Sequence, residues 1–346
     1  MKELKVAVVG LGRIGWQVHL PEIAKNDKYD LRAVVDVNEE RIREAEDEYK
    51  TKGYTDLKNM LDSEELDLVI IASPTHLHRE QCELCFAQGV DVFLDKPMAP
   101  TLEDSIKIAE AAKNYGRKIM VYQPHRAVPA VSVLRRIIDE GKIGPVYMMK
   151  RAQSSYIRRH DWQAIRRFGG GMINNYGAHF IDQMIYLANE DVESIYCTSH
   201  KIATLGDAED VVKAVLTTKS GVTIDIDINN ATSHMITPWM IFGKYGTVIA
   251  EGPSDSQTDN FIVKYYDPAD MPEVTLDESL TAEGRRYNND VPVPWKTEVV
   301  PVKPEDAVIF YDKVYDFFAL DEKPFVSVEE TIRVMTLLDE AHRQAD

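Results

Sequence analysis

Cysteine is scarce in this chain of 346 residues: Cys82, Cys85 and Cys197 are the whole supply. Three thiols cannot build a disulfide framework, and their rarity fits a reducing compartment. Cys82 and Cys85 share a C-x-x-C spacing, but no second pair exists and the segment reads as helix, so buried, reduced thiols are expected rather than a redox or zinc pair. Long apolar runs are also missing. Nothing approaches a membrane span, and the stretch before Gly10 is too short for a signal-peptide core, so the expectation is a soluble, cytoplasmic protein. Positive charge is in deficit, with 40 Lys and Arg against 57 Asp and Glu and a net charge of −17. That field repels phosphate backbones and anionic lipid, which argues against nucleic-acid and membrane partners and for small molecules.

What remains is ordinary globular composition, 44% hydrophobic and 28% charged, which excludes disorder, at a length that suits two domains. From Lys5 to Gln123 strand-like and helix-like segments alternate. Lys5–Val9, a helix from Ile14 to Lys25, and Leu31–Val35 make a βαβ unit. Further apolar runs follow at 66–71, 90–94 and 119–123, with a helix over 102–115 opened by Thr101 and Asp104 as a capping pair. Continuous apolar strands of this kind predict a parallel sheet covered on both faces. Past Gln123 the pattern changes to period two. Ile224, Ile226 and Ile228 alternate with Asp225, Asp227 and Asn229, and hairpins are expected at Lys219–Gly221 and Gly243–Gly246. Residues 252–305 are polar with one clear strand near Phe261–Tyr266. The tail returns to helix, with Ile309, Val314, Phe317 and Phe318 as its apolar positions. The fold class is therefore α/β, a Rossmann-type doubly wound parallel sheet over residues 1–123 and a second α/β domain with a largely antiparallel open sheet over 124–346.

The stretch from Gly10 to Gly15, GLGRIG, lies between a strand and a helix and matches G-x-G-x-x-G. The pattern alone is weak, because a turn between ordinary elements also uses glycine. Its position, together with Asp36 at the end of the next strand, gives three requirements that agree on a dinucleotide cradle. Gly10, Gly12, Arg13, Ile14 and Gly15 are expected against the phosphates, held by free N–H groups and the helix dipole. Asp36 would accept from a ribose 2′-hydroxyl and repel a 2′-phosphate, favouring NAD over NADP. Arg41 could meet such a phosphate but reads as a solvated residue on an acidic helix.

At FLDKPMAPT the chain resembles the Gfo/Idh/MocA oxidoreductases, and the likeness extends over GLGRIG, IIASPTHLHRE, GKIGPVY, GGGMINNYGAHFIDQ and KPFVSVEET. The resemblance implies an N-terminal Rossmann domain and a substrate-binding, oligomerising C-terminal domain whose last helices can pack back on the first. It implies NAD as cofactor, hydride exchange with a sugar, polyol or sugar-acid hydroxyl carbon, and a homodimer or homotetramer. Ser73, Pro74, Thr75, His78, Asp95 and Lys96 fall at cofactor-binding positions. Lys96 matches the motif lysine that reaches the reacting hydroxyl, where an ammonium stabilises alkoxide character. His76 and His78 lack a third ligand at sensible spacing for zinc. Asn175 and His179 follow three glycines on a helix, four residues apart and so on one face. Many members have aspartate where Asn175 stands. An amide carries no proton, so acid–base work falls to His179 with Lys96. Asp182 either orients the His179 ring or faces solvent.

Tyr122, His125, Arg126, Tyr156, Arg158, His160 and Trp162 are candidates to line the substrate pocket. Residues 150–167 carry six basic residues against Asp161 alone. Arg158, Arg159 or Arg166 could meet a carboxylate or phosphate on the substrate, or serve subunit ion pairs. Besides the dehydrogenase, the family suggests an NAD-using glycosidase that works by transient oxidation and a dinucleotide sensor without turnover. Retention of Lys96 and His179 speaks against the sensor. A structural adaptor leaves the coexistence of the glycines, Asp36 and Lys96 unexplained.

Overall fold

The computed structural model describes residues 3–252, 258–276, 278 and 291–345. Two compact units result, one from residues 1–127, 165–182 and 308–346 and the other from 128–164 and 183–307.

The first unit is built on six strands, β1 (Leu4–Val9), β2 (Tyr29–Val35), β3 (Lys52–Tyr54), β4 (Leu68–Ile71), β5 (Asp91–Asp95) and β6 (Ile119–Tyr122). They pair in parallel in the order β3-β2-β1-β4-β5-β6. All four residues of β4 are buried, as the continuous apolar runs predict for strands covered on both sides. Crossovers run through α1 (Leu20–Ala24), α2 (Glu39–Tyr49), α3 (Leu57–Ser63), α4 (His78–Ala87) and α5 (Leu102–Tyr115). Strand order reverses between β1 and β4, and in such sheets ligands lie outside the carboxyl ends of the strands at that reversal. The Thr101 cap is observed, with the Asp104 N–H donating to Thr101 Oγ1 at 3.1 Å. The helix expected from Ile14 to Lys25 is wound differently in its middle. Helical residues span 13–24, but Gly15–His19 form a π segment ahead of α1. The three cysteines are buried and none is in a disulfide.

The second unit contains α6 (Pro129–Asp139) and β7 (Val146–Ser154). α7 (Ala178–Ala188) follows, its first residues through Asp182 counting with the first unit. Then come β8 (Val192–His200), β9 (Val211–Thr218), β10 (Thr223–Asn229), β11 (Trp239–Gly243), β12 (Gly246–Glu251), β13 (Asn260–Tyr265) and β14 (Lys296–Pro301). The sheet runs β14-β13-β12-β11-β7-β10-β9-β8, antiparallel throughout except for the parallel β7–β10 pair. Ile224, Ile226 and Ile228 are buried while Asp225 and Asp227 take the wetter face, and Lys213 of β9 reaches both carboxylates. β14 corrects the single strand expected over 252–305. Its Lys296, Thr297, Glu298 and Pro301 hide a strand from pattern reading, yet an edge position tolerates them. Residues 253–257, 277 and 279–290 of that stretch lie outside the described residues.

The last two helices, α8 (Phe310–Leu320) and α9 (Val328–Ala345), belong to the first unit. Phe310, Tyr311, Val314 and Phe318 join Val6, Val8, Phe93 and Met120 in one core. Ile309, expected among the apolar positions, caps the helix and is 62% exposed. Within this core His19 is fully buried, with Nδ1 2.7 Å from the Tyr311 hydroxyl. Burial pushes its ring down to about 3, so it is neutral. No helix among the described residues is long and apolar enough to cross a membrane.

Candidate active site

At the end of β1, Gly10 turns with φ +93°, and a Cβ there would stand 2.7 Å from the Ala72 backbone. A Cβ on Gly15 would lie 1.9 Å from the Gly10 carbonyl oxygen, whereas one on Gly12 would meet nothing within 4 Å. The outer two glycines are thus needed for close packing, and the middle one leaves open space where a phosphate can approach the backbone. Arg13 beside it is exposed and Ile14 half-buried. After β2, Asp36 is buried; its Oδ2 accepts the Leu11 N–H at 2.7 Å and its Oδ1 the Asn38 N–H at 2.9 Å. Each oxygen retains a lone pair for a ribose hydroxyl. Arg41, read as a solvated helix residue, is half-exposed but directs Nη1 to within 3.6 Å of Asp36 Oδ2. An open notch beside tightly packed glycines, with a buried carboxylate at the next strand end, fits a dinucleotide.

The loop after β4 carries Ser73, Pro74 and Thr75. The Ser73 hydroxyl donates to Gln81 Oε1 at 2.5 Å, and the Pro74 carbonyl accepts from the Leu77 N–H at 2.9 Å, closing a short turn over Thr75–Leu77. His76 is exposed. His78 is buried, with Nε2 3.0 Å from the Ser73 carbonyl oxygen and Nδ1 3.2 and 3.3 Å from those of Pro97 and Met98. Burial holds the ring below the ordinary imidazole range despite these acceptors. His78 therefore ties the loop after β4 to the loop after β5. On that second loop Asp95 Oδ1 accepts the Lys96 N–H at 2.8 Å, and the Lys96–Pro97 peptide is cis. Burial raises the Asp95 carboxyl to about 6, against the pull of the Lys96 and Arg13 charges. Burial also lowers the Lys96 ammonium below its usual range, with Asp95 opposing. Tyr122 sits opposite Asp95 in the β5–β6 register, its phenol pushed up to about 12 by burial and, secondarily, by that carboxylate.

Downstream of the three glycines, Ile173–Gly177 are π-helical and α7 begins only at Ala178. Residues four apart in an i→i+5 winding still come round close to one face, so the π segment does not separate Asn175 from His179. Asn175 is half-buried and His179 buried. The neighbouring Asn174 is anchored, its Nδ2 donating to the Gly169 carbonyl at 3.2 Å and its Oδ1 2.8 Å from His342 Nε2 on α9. His125, in the turn Pro124–Ala127 after β6, stacks flat on His179, with centroids 3.8 Å apart and planes 4° from parallel. Arg126 is buried beside it. Its Nη2 and Nε donate to Asp182 Oδ1 and Oδ2 at 2.5 and 3.1 Å, and its Nη1 to Glu330 Oε1 at 3.1 Å and the Phe325 carbonyl at 2.9 Å. Two carboxylates hold this guanidinium charged in spite of its burial. Asp182 is 1% exposed, so the solvent-facing alternative is excluded. Sequence reasoning missed Glu330. A capping-box pattern, Ser327-x-x-Glu330, was there to be read, and both of its hydrogen bonds form, at 2.8 and 3.1 Å. That signal marks the start of α9 but not the contact with Arg126.

Tyr156, Arg158, His160 and Trp162 belong to the second unit, on the irregular stretch after β7, and all four are exposed. His160 Nδ1 is 3.4 Å from the Arg158 carbonyl oxygen. Arg159 is engaged locally by Asp161, at 3.1 Å, and by Gln163. Arg166 is exposed on the turn Arg166–Phe168 in the first unit. The glycines, Asp36, Ser73, Pro74, Thr75, His78, Asp95, Lys96, Tyr122, His125, Arg126, Asn175 and His179 all fall within that first unit.

Residues 4–123 match the oxidoreductase family with an NAD-binding Rossmann fold, and residues 131–249 match the GFO/IDH/MocA C-terminal domain. A D-apiose dehydrogenase of Paraburkholderia graminis is 29% identical over 234 residues, 67% of this chain and 62% of that protein, so the match spans about three fifths of that relative. A myo-inositol 2-dehydrogenase of Thermotoga maritima is 25% identical over 262 residues, 72% of this chain and 75% of its own. The WlbA dehydrogenase of Bordetella pertussis, solved with NADH and UDP-GlcNAcA, superposes with a TM-score of 0.77 at 23% identity over 99% of this chain and 97% of that one, a likeness of fold. An NAD-binding Rossmann domain followed by this C-terminal domain means that the chain belongs to the Gfo/Idh/MocA family of oxidoreductases.

Proposed function

We propose that this chain is an NAD-dependent dehydrogenase acting on a secondary hydroxyl of a sugar, polyol or sugar acid, with Lys96 and His179 handling the proton. The observation that carries the reading is Lys96 itself, a half-buried ammonium just past the carboxyl end of β5 and lowered by desolvation, in the same unit as the glycine cradle, Asp36 and His179. The bound nicotinamide supplies the hydride acceptor. Lys96, with its ammonium weakened by burial, donates a hydrogen bond to the substrate oxygen and stabilises alkoxide character. His179 takes the hydroxyl proton as general base. Asn175 carries no proton and orients substrate. Arg126 and Asp182 keep the His125 turn and the start of α7 in fixed relation, and His78 does the same for the cofactor loop and the lysine loop. The named activities of the apiose and inositol dehydrogenases support the substrate class.

The reading includes an anionic group on the substrate met by Arg158 or Arg166, both exposed, and a homodimer or homotetramer in solution. Screening polyols, aldonates and sugar phosphates for NADH formation at 340 nm tests the activity, with Lys96→Ala as control. A substrate should emerge whose turnover drops on the order of 10²-fold in that variant. Sugar release without net NADH would replace the dehydrogenase with a glycosidase. Unchanged kinetics on every accepted substrate after single replacement of Arg158 and Arg166 would dispose of the anion contact, and light scattering of a monomer would dispose of the oligomer.

A further inference from the structure

The stacked pair of histidines has a consequence for proton traffic. His125 and His179 lie face to face at 3.8 Å and 4°, closer and flatter than any other ring pair described in the molecule. Two imidazolium ions cannot share that arrangement cheaply, because like charges at such a distance disfavour one another and neither ring has water between it and its neighbour. The two rings are not equivalent. His179 is 6% exposed, whereas His125, in a turn, is only half-buried, so charging His179 costs more in lost hydration.

The charges around the pair weigh in the opposite sense, with a cation beside His125 and a carboxylate near His179, so neither ring alone owns the proton. Arg126 adjoins His125, and Asp182 lies one turn along α7 from His179; Glu330, from α9, completes the set on Arg126. One positive and two negative groups leave one net negative charge. Asp95 and Lys96, at the end of the neighbouring strand, add one charge of each sign when ionised, and both are weakened by burial. Tyr176 meets His125 edge-on, with centroids 6.3 Å apart. His342 is engaged with Asn174, and Asn175 contributes no charge. The surroundings thus balance one proton on the pair and not two.

We propose that His125 and His179 titrate as one unit that takes up a single proton, so that above this step both rings are neutral and His179 can accept the substrate proton. This rests on the reading of His179 as the base. His125 acts through His179 and is a positioning residue. With NAD bound as hydride acceptor, the hydroxyl proton of the substrate would go to neutral His179 as the carbonyl compound forms.

The test is a pH titration of the histidine ring protons by NMR on the whole, cofactor-free protein, with His125→Phe and His179→Gln serving also to assign signals. In the wild type the two rings should titrate in linked, two-step curves. In His125→Phe, which keeps a flat ring but removes its proton, His179 should titrate in one step, at a pH higher by on the order of one unit. The acid limb of NADH formation should move up by a similar amount. Independent single-step histidine curves in the wild type, with no linked two-step pair, overturn the proposal even if neither variant folds. Linked curves with no substrate oxidised would sustain the coupling and sink the dehydrogenase reading instead.

Discussion

Two ion pairs, one in each unit, join an arginine or lysine to aspartate with similar contacts and very different surroundings. Arg126 and Asp182 lie 1% exposed at the base of the candidate site, whereas Lys213 meets Asp225 on the wetter face of the second sheet, where the two side chains are 41% and 20% exposed. In the first pair each partner is the other's substitute for water. In the second, solvent does much of that work. The contrast extends to the sheets themselves. Along the parallel strands most side chains are apolar, with Lys5, Asp30, Lys52 and Asp91 toward the amino ends, and at the carboxyl ends of β5 and β6 burial perturbs Asp95, Lys96 and Tyr122. Along the second sheet polar groups such as Asp225, Asp227 and Lys213 are spread out on the wetter face, while Arg151 is buried against Trp239. Three perturbed groups side by side at the carboxyl ends of β5 and β6 are the physical mark of a site.

The sharpest way to break this contrast is Arg126→Ala. It strands Asp182 and Glu330 and should cost about 3–5 kcal/mol of unfolding free energy, read by urea denaturation; a loss below about 1 kcal/mol would mean that water reaches the pair. Next comes Asp95→Asn. The folded carboxyl is raised to about 6 from a normal 3.8, so the folded state binds the proton more tightly than the unfolded chain does. The ionised group therefore destabilises, with the penalty absent below about pH 3.8 and complete above about 6. At pH 8 the variant should be more stable than wild type by up to about 3 kcal/mol, and at pH 3.5 that gain should vanish. A gain independent of pH would reject the burial account.

Gly10→Ala should lower stability by about 1–2 kcal/mol, since its φ of +93° and the 2.7 Å approach to Ala72 both oppose a side chain. It should also weaken NAD binding by calorimetry, because the cradle must shift to admit the methyl. An unchanged affinity would remove the glycine from the cofactor site. Smallest of all is Lys213→Ala, expected within about 0.5 kcal/mol of wild type. A larger loss in dilute solution would show that this face is covered, as it would be in an oligomer.

The first sheet was legible because buried parallel strands leave uninterrupted runs such as Leu68–Ile71, and the turn chemistry of Gly10–Gly15 and Thr101 is local. β14 was not, because an edge strand needs no apolar signature. The cradle and Asp36 could be read by spacing, and the lysine motif by its resemblance to the family. The contact of His125 with His179, and of Arg126 with Asp182 and Glu330, could not, since each joins residues more than 50 positions apart and no periodicity encodes which side chains meet. The π winding at Ile173–Gly177 escaped for a related reason: its sequence is compatible with an α-helix, and only the final hydrogen-bond count distinguishes them.

The seating of Phe310, Tyr311, Val314 and Phe318 among the strands of the first sheet also sets an order of events during synthesis. The segment that leaves the ribosome first cannot finish its interior until the last forty or so residues have been made, and it must wait with an apolar flank uncovered while the whole second sheet is translated. A stalled or prematurely stopped chain would therefore damage the nucleotide-binding half, the part already synthesised, more than the half being made when translation failed.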